Sequence, residues 1–223
     1  MSDGKDDTLA ASFAALEEER ERSWPPERLA DNRAQRRALV AAFDPTRIAQ
    51  PGDRLDPYAL LDDDGGAVTL DELTRDGPAV LIFFRFAGCP ACNIAIPYYE
   101  RELAPALRAL GARLVAVSPQ IPERLVEIKR RHDLSFEVAT DRNAVLSRRF
   151  GILYTANATT QAKGNFIGDV TGTGTWELPQ PTVVVIGADR VVRFADVSPD
   201  WLVRTEAGPI IEAVRAALPV AAQ

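Results

Sequence analysis

Phe83-Phe84-Arg85-Phe86-Ala87-Gly88-Cys89-Pro90-Ala91-Cys92-Asn93 holds both cysteines of the chain. It follows an apolar run, Ala79 to Phe84, that reads as a buried strand, and it opens a long helical pattern. A C-x-x-C at a strand-to-helix junction points to dithiol redox chemistry. The thiolate is the reactive form of cysteine, and an ordinary thiol titrates about one to two units above neutrality. A helix N-terminus presents free N–H groups and a partial positive charge, which favour the anion. The spacing puts Cys89 at the N-cap, Pro90 at the first helical position and Cys92 one turn further on. Cys89 is then expected to be the low-pKa nucleophile and Cys92 its resolving partner.

Other uses of two cysteines fit less well. Zinc needs about four ligands, and one chain offers two cysteines and the distant His132. A structural disulfide across so short a loop gains little chain entropy. Inert burial of both thiols leaves their spacing and context without a reason. No metal and no cofactor is expected.

The chain has 223 residues, enough for one good-sized domain with an appendage. A net charge of −6 argues against nucleic-acid binding, which needs a basic patch. No apolar run approaches the roughly 20 residues of a membrane span, so no membrane partner is expected. The opening Met1 to Asp7 is polar and acidic, unlike a secretory signal, which points to a cytoplasmic protein in which paired cysteines are catalytic.

Residues 1–7 are expected to be a disordered tail. Residues 8–50 read as a helical extension. A first helix carries Leu9, Phe13 and Leu16 at helical spacing; the second runs from Pro26 to Phe43 with Leu29, Leu39, Val40 and Phe43 as its apolar contacts. This hairpin packs either on the core or on a second subunit of a homodimer, and the sequence leaves both open. Residues 51–223 form the main domain. Asp62-Asp63-Asp64 lacks the spacing of a calcium loop and reads as an acidic turn. The helix after the cysteines extends to about Leu110, kinked by Pro97. Strands at 114–117 and 136–138 alternate with helices at 122–131 and 144–150, which implies an α/β sheet with parallel crossovers. Residues 153–178 read as one long, polar, glycine-rich loop. Val183 to Ile186 and Val191 to Phe194 form an antiparallel hairpin, and Ile210 to Leu218 a last helix.

Five stretches, in order, resemble the peroxiredoxin-like branch of the thioredoxin superfamily, the alkyl hydroperoxide reductase and thiol-specific antioxidant type. They are Phe84 to Asn93, Leu114 to Gln120, Leu134 to Val138, Trp176 to Pro179, and Arg193 to Asp200. The resemblance implies a thioredoxin-like fold, a central mixed β-sheet flanked by helices. It implies a cis proline facing the cysteines, and Pro181 before Thr182 is the matching position. Pro90, Pro181 and Thr182 would line the substrate pocket. The pattern usual in that branch is Pro-x-x-x-Thr/Ser-x-x-Cys. Counting back from Cys89 gives Phe86 and Ile82; counting back from Cys92 gives Cys89 and Arg85. The arginine that the branch places before the late strand falls near Pro181 here. Arg85 is the remaining candidate for charge support of a thiolate, with a surface ion pair as the alternative. His132 reads as a solvated helix end, and Trp176 either packs over the cysteines or belongs to the core.

The resemblance implies a thiol peroxidase: Cys89 attacks a hydroperoxide, Cys92 closes a disulfide, and an external thiol, a thioredoxin-like protein or a small thiol, restores the dithiol. Two other functions use the same residues. One is a protein disulfide oxidoreductase. The other is a redox-sensing interaction protein in which the N-terminal helices carry the binding.

Overall fold

The computed structural model describes residues 8–162 and 166–218. The tail expected at residues 1–7 lies outside them. The chain begins with a helical hairpin, α1 (Leu9–Ser23) and α2 (Pro26–Ala42). Thr8 caps α1 by accepting from Ala11 N, and Pro26 opens α2, where its missing N–H costs nothing. The main body follows as β1 (Ala59–Leu61), β2 (Ala67–Thr69), α3 (Leu70–Leu73), β3 (Ala79–Phe83), α4 (Cys92–Glu102), α5 (Ala104–Ala109), β4 (Arg113–Ser118), α6 (Pro122–His132), β5 (Glu137–Thr140) and α7 (Val145–Arg149). It continues with β6 (Leu153–Thr155), α8 (Ala158–Gln161), α9 (Phe166–Thr171), β7 (Glu177–Pro179), β8 (Thr182–Ile186), β9 (Val192–Val197) and α10 (Ala207–Ala217).

Seven strands form one mixed sheet in the order β2-β1-β5-β4-β3-β8-β9. β3, β4 and β5 run parallel, and β8 and β9 return antiparallel beside β3. All five residues of β3 are buried because helices cover both faces of the sheet, which explains its unbroken apolar run. Period-two alternation sorts the side chains. Val80, Ile82, Leu114 and Ala116 face one core with α1, α4, α6 and α10, and Leu81, Phe83, Val115 and Val117 face the other with α3 and α7.

Several expectations need correction. The peptide before Pro181 is trans, as are all peptides among the described residues. The trans form is the cheaper one for X-Pro by about 0.5–1 kcal/mol. Gln180 N donates to Ile152 O, and Pro181 O accepts from Ser198 N, so an extended trans segment already satisfies its backbone. The helix that holds Pro97 does not run unbroken to about Leu110 but ends at Glu102. The break falls at Leu103, where Pro105 cannot donate back to the Arg101 carbonyl and a new helix starts. Residues 153–178 are no single loop. They contain α8 and α9, and β6 pairs with β7 as a separate two-stranded ribbon. The first helix lays Leu9 and Phe13 on the core that holds the cysteines, so the hairpin packs on its own chain. Val40 of α2, expected in an apolar contact, is 52% exposed.

Candidate active site

β3 ends at Phe83, and residues 84–91 form the turn that carries the first cysteine. That turn is pinned from four sides. Ser118 Oγ donates to Arg85 O at 3.0 Å, and Ala87 N donates to Gln120 Oε1 at 2.7 Å. Asn93 Nδ2 donates to Ala87 O and Cys89 O at 2.7 and 2.9 Å. Arg131 Nη1, from the last turn of α6, donates to Ala87 O at 2.8 Å. His132 sits at the same helix end with Nε2 2.8 Å from Asn93 Oδ1, and burial together with Arg131 pushes its pKa down. It helps fix the turn and does not reach the sulfurs.

Helix α4 starts two residues later than the spacing suggested. Cys92 is its first residue, and Cys89 precedes it, with Cys89 O accepting from the backbone N–H of both Cys92 and Asn93. Both cysteines are free thiols and buried, Cys89 at 2% and Cys92 at 0% exposure. The surroundings of the two sulfurs differ. Cys92 Sγ accepts from Arg204 Nη2 at 3.5 Å. Burial works against its anion, but the bond from Cys89 and the Arg204 guanidinium outweigh it and hold Cys92 well below the ordinary thiol range. Donation to Cys92, then burial, push Cys89 up.

Arg85 is not a surface ion pair. Its guanidinium lies over the ring of Trp201 at 4.5 Å, with Phe86 at 5.8 Å and Tyr154 at 5.9 Å, and close enough to both sulfurs to favour their anions. Arg20 of α1, 3% exposed, adds a third positive charge beside Cys89, stacked on Trp24 at 4.7 Å. Tyr154 is pushed up to about 12 by burial and stays a neutral phenol. Among the described residues, Arg20 Nε and Nη1, Arg85 Nε, Arg204 Nη1 and Tyr154 Oη are buried without a hydrogen-bond partner.

Pro181 and Thr182 lie across from Arg204 at a cavity of about 10 Å³, room for one water-sized group, shared with Tyr99, Ser198 and Thr205. The Thr182 hydroxyl is engaged by Gln180 O at 2.8 Å. Pro90 is exposed on the outside of the turn. Trp176 packs with Phe86 and Tyr154 in a small cluster under the β6–β7 ribbon. Arg204 carried no signal in the sequence: it stands 112 positions from Cys92, in a turn with no motif.

Solved structures share this fold. Peroxidoxin BcpB from Mycobacterium tuberculosis superposes with a TM-score of 0.60 at 21% identity, over 75% of this chain and 97% of that one. A peroxiredoxin-like protein from Aquifex aeolicus gives 0.61 at 15% identity, over 77% and 89%. A thiol peroxidase from Chromobacterium violaceum gives 0.58 at 14% identity, over 76% and 88%. No curated protein sequence matches. The profile of the AhpC/TSA family, however, matches residues 51–195, which contain both cysteines and all the strands but the last turn of β9, and the chain belongs to that family.

Proposed function

We propose that this thiol-dependent peroxidase uses Cys92 as the attacking thiolate and Cys89 as the resolving thiol. The observation that carries the assignment is the contact of Arg204 Nη2 with Cys92 Sγ at 3.5 Å. The Cys92 sulfur attacks the terminal oxygen of a hydroperoxide. The O–O bond breaks, the sulfur is oxidised to a sulfenic acid, and the departing alkoxide takes the proton that Cys89 holds. The Cys89 thiolate so formed attacks the Cys92 sulfur and expels hydroxide, which is protonated to water, closing a disulfide. Two electrons from an external thiol then restore the dithiol. Arg204 and Arg85 favour the anion before the attack and stabilise negative charge on the oxygens during it. Within the pattern usual in this family, Cys89 stands where Thr or Ser would donate to the nucleophile, so the donor is itself oxidisable.

Burial of both sulfurs favours a small oxidant over a protein disulfide as the first substrate. The proposed reductant is a thioredoxin-like protein or a small thiol, and the proposed compartment is the cytoplasm, where such thiols are kept reduced. The test is single-turnover oxidation followed by intact mass. Cys89→Ser should consume peroxide and stop with one oxygen added; Cys92→Ser should remain unoxidised. The opposite pattern would return the nucleophile to Cys89.

A further inference from the structure

The arginine that touches the thiolate has an unusual mounting. Arg204 closes a tight turn, Asp200–Arg204, that follows β9. Within it, Asp200 Oδ1 accepts from Leu202 N at 3.0 Å, Val203 N donates to Asp200 O at 2.8 Å, and Arg204 Nε donates to Trp201 O at 3.0 Å. Asp200 is held in its turn from outside. Arg36, on α2, directs Nη1 at both oxygens of the Asp200 carboxylate, each at 3.2 Å, and Nη2 at Glu17 Oε1 of α1 at 2.8 Å. Glu17 is itself fixed by Arg33 Nε at 2.7 Å and faces Arg20 at 3.8 Å. Arg36 is 11% exposed, so this bridge is poorly screened.

Packing holds the inner side of the turn, where Trp201 and Leu202 are buried and Arg204 lies over Phe13, but not its outer side. A gap of about 310 Å³ separates the hairpin from the turn, lined by Phe13, Glu17, Arg36, Leu202, Val203 and Arg204 among others. Val203 is 69% exposed at its edge. An apolar interface would hold the turn by contact along its length. Here the connection from α2 is one guanidinium spanning two carboxylates.

We infer that Arg36 is a positioning residue for the peroxidase reaction: acting through Asp200, it fixes the Asp200–Arg204 turn so that Arg204 meets Cys92. The N-terminal hairpin, outside the residues that match the family, thereby sets the reactivity of a cysteine inside them. The inference rests on Cys92 being the thiolate. If the turn loosens, Arg204 withdraws from Cys92, and Arg85 and Tyr154 lose their packing on Trp201 of the same turn, so both guanidiniums support the thiolate less.

The experiment is alkylation of the fully reduced, full-length protein by iodoacetamide across pH, with each cysteine followed by peptide mass. In the wild type, Cys92 should titrate below the ordinary thiol value of 9.0. Arg36→Gln should raise its midpoint by about one unit, a tenfold loss of thiolate below the midpoint, and lower the peroxide rate constant in proportion. Arg36→Lys, which can pair with one carboxylate but not span two, should fall between. Asp200→Asn retains the oxygen that accepts from Leu202 N and removes the charge that Arg36 grips. It should reproduce the shift, and the double variant should be no worse than either single one. It also serves as the test if Arg36→Gln does not fold. A role confined to stability would lower the melting temperature and leave the midpoint unmoved, and that result overturns the inference while sparing the assignment of Cys92. A wild-type Cys92 that titrates at 9.0 would overturn both.

Discussion

Aromatic rings rather than carboxylates hold the arginines nearest the sulfurs. Arg85 rests on Trp201, and Arg204 lies over Phe13 at 5.6 Å. An arginine paired with a carboxylate is neutral as a unit; one held by a ring keeps its charge and can spend it on a neighbouring sulfur. Arg204 is the closer of the two, and a hydrogen bond to a charged group contributes about 1.5–3 kcal/mol. Arg204→Gln should therefore slow peroxide reduction roughly ten- to hundredfold, read by stopped-flow on the reduced enzyme. Retention of the wild-type rate constant would remove Arg204 from the mechanism. At this scale the sequence was legible where chemistry is local. Cys89, Cys92 and Arg85 announce themselves by spacing around one turn. Arg204 and Arg20 reach the same turn from positions over a hundred and nearly seventy residues away, with no pattern of their own. The proposal of Cys92 over Cys89 as nucleophile has the same origin: the helix dipole that favours Cys89 is local, whereas the Arg204 guanidinium beside Cys92 is not.

The element that most shapes the site is α1. Its N-terminus is seated on the body by Glu206, which accepts from Leu9 N at 3.2 Å and Ala10 N at 3.0 Å and from Tyr98 Oη at 2.6 Å. Its inner face buries Leu9, Phe13 and Arg20. Phe13→Ala should cost about 3 kcal/mol, the lower end of the range for such a truncation, because one side of the ring already borders the gap before the Asp200–Arg204 turn. Equilibrium denaturation in urea measures this; a cost under 1 kcal/mol would mean that α1 is only loosely attached. The spacing of Leu9 and Phe13 made this helix legible, since a solvated helix has no reason to repeat large apolar residues on one face. α2 was harder to place because it buries nothing fully and meets the body through Leu39 and two polar contacts, Arg36 with Asp200 and Asp31 with Asn157, which leave no periodic trace. The β6–β7 ribbon was missed for a related reason: strands of three residues carry too few side chains to show alternation.

Taken as a whole, the molecule stores more positive charge around the dithiol than the described residues neutralise there. Oxidation to a disulfide removes the anion on Cys92 and leaves the buried guanidiniums of Arg20, Arg85 and Arg204 facing neutral sulfur. The closed loop is short, so the crosslink restores little by constraining the unfolded chain. The reduced protein should accordingly melt above the oxidised one at pH 7 by scanning calorimetry, the reverse of the usual effect of a disulfide. The pH dependence has a definite sign. Cys92 titrates lower folded than unfolded, so its contribution is complete above the unfolded value near 9.0 and vanishes as pH falls through the folded value. The gap between the two melting temperatures should close on acidification; an oxidised form that melts higher at pH 7 would contradict this account. The α/β class and the family pattern were readable because strand periodicity and βα alternation repeat along the chain, whereas charge balance inside a fold is written nowhere in the order of residues.

The seclusion of the two sulfurs also has a consequence for timing. A hydroperoxide is small enough to slip in between ordinary side-chain fluctuations. A protein thiol needs the surrounding segments to part before its own sulfur can touch Cys89 or Cys92. Recovery by such reductants therefore has a ceiling, set by how often the protein opens and shared by every partner of that size, while the oxidising half of the cycle keeps pace with the peroxide supply.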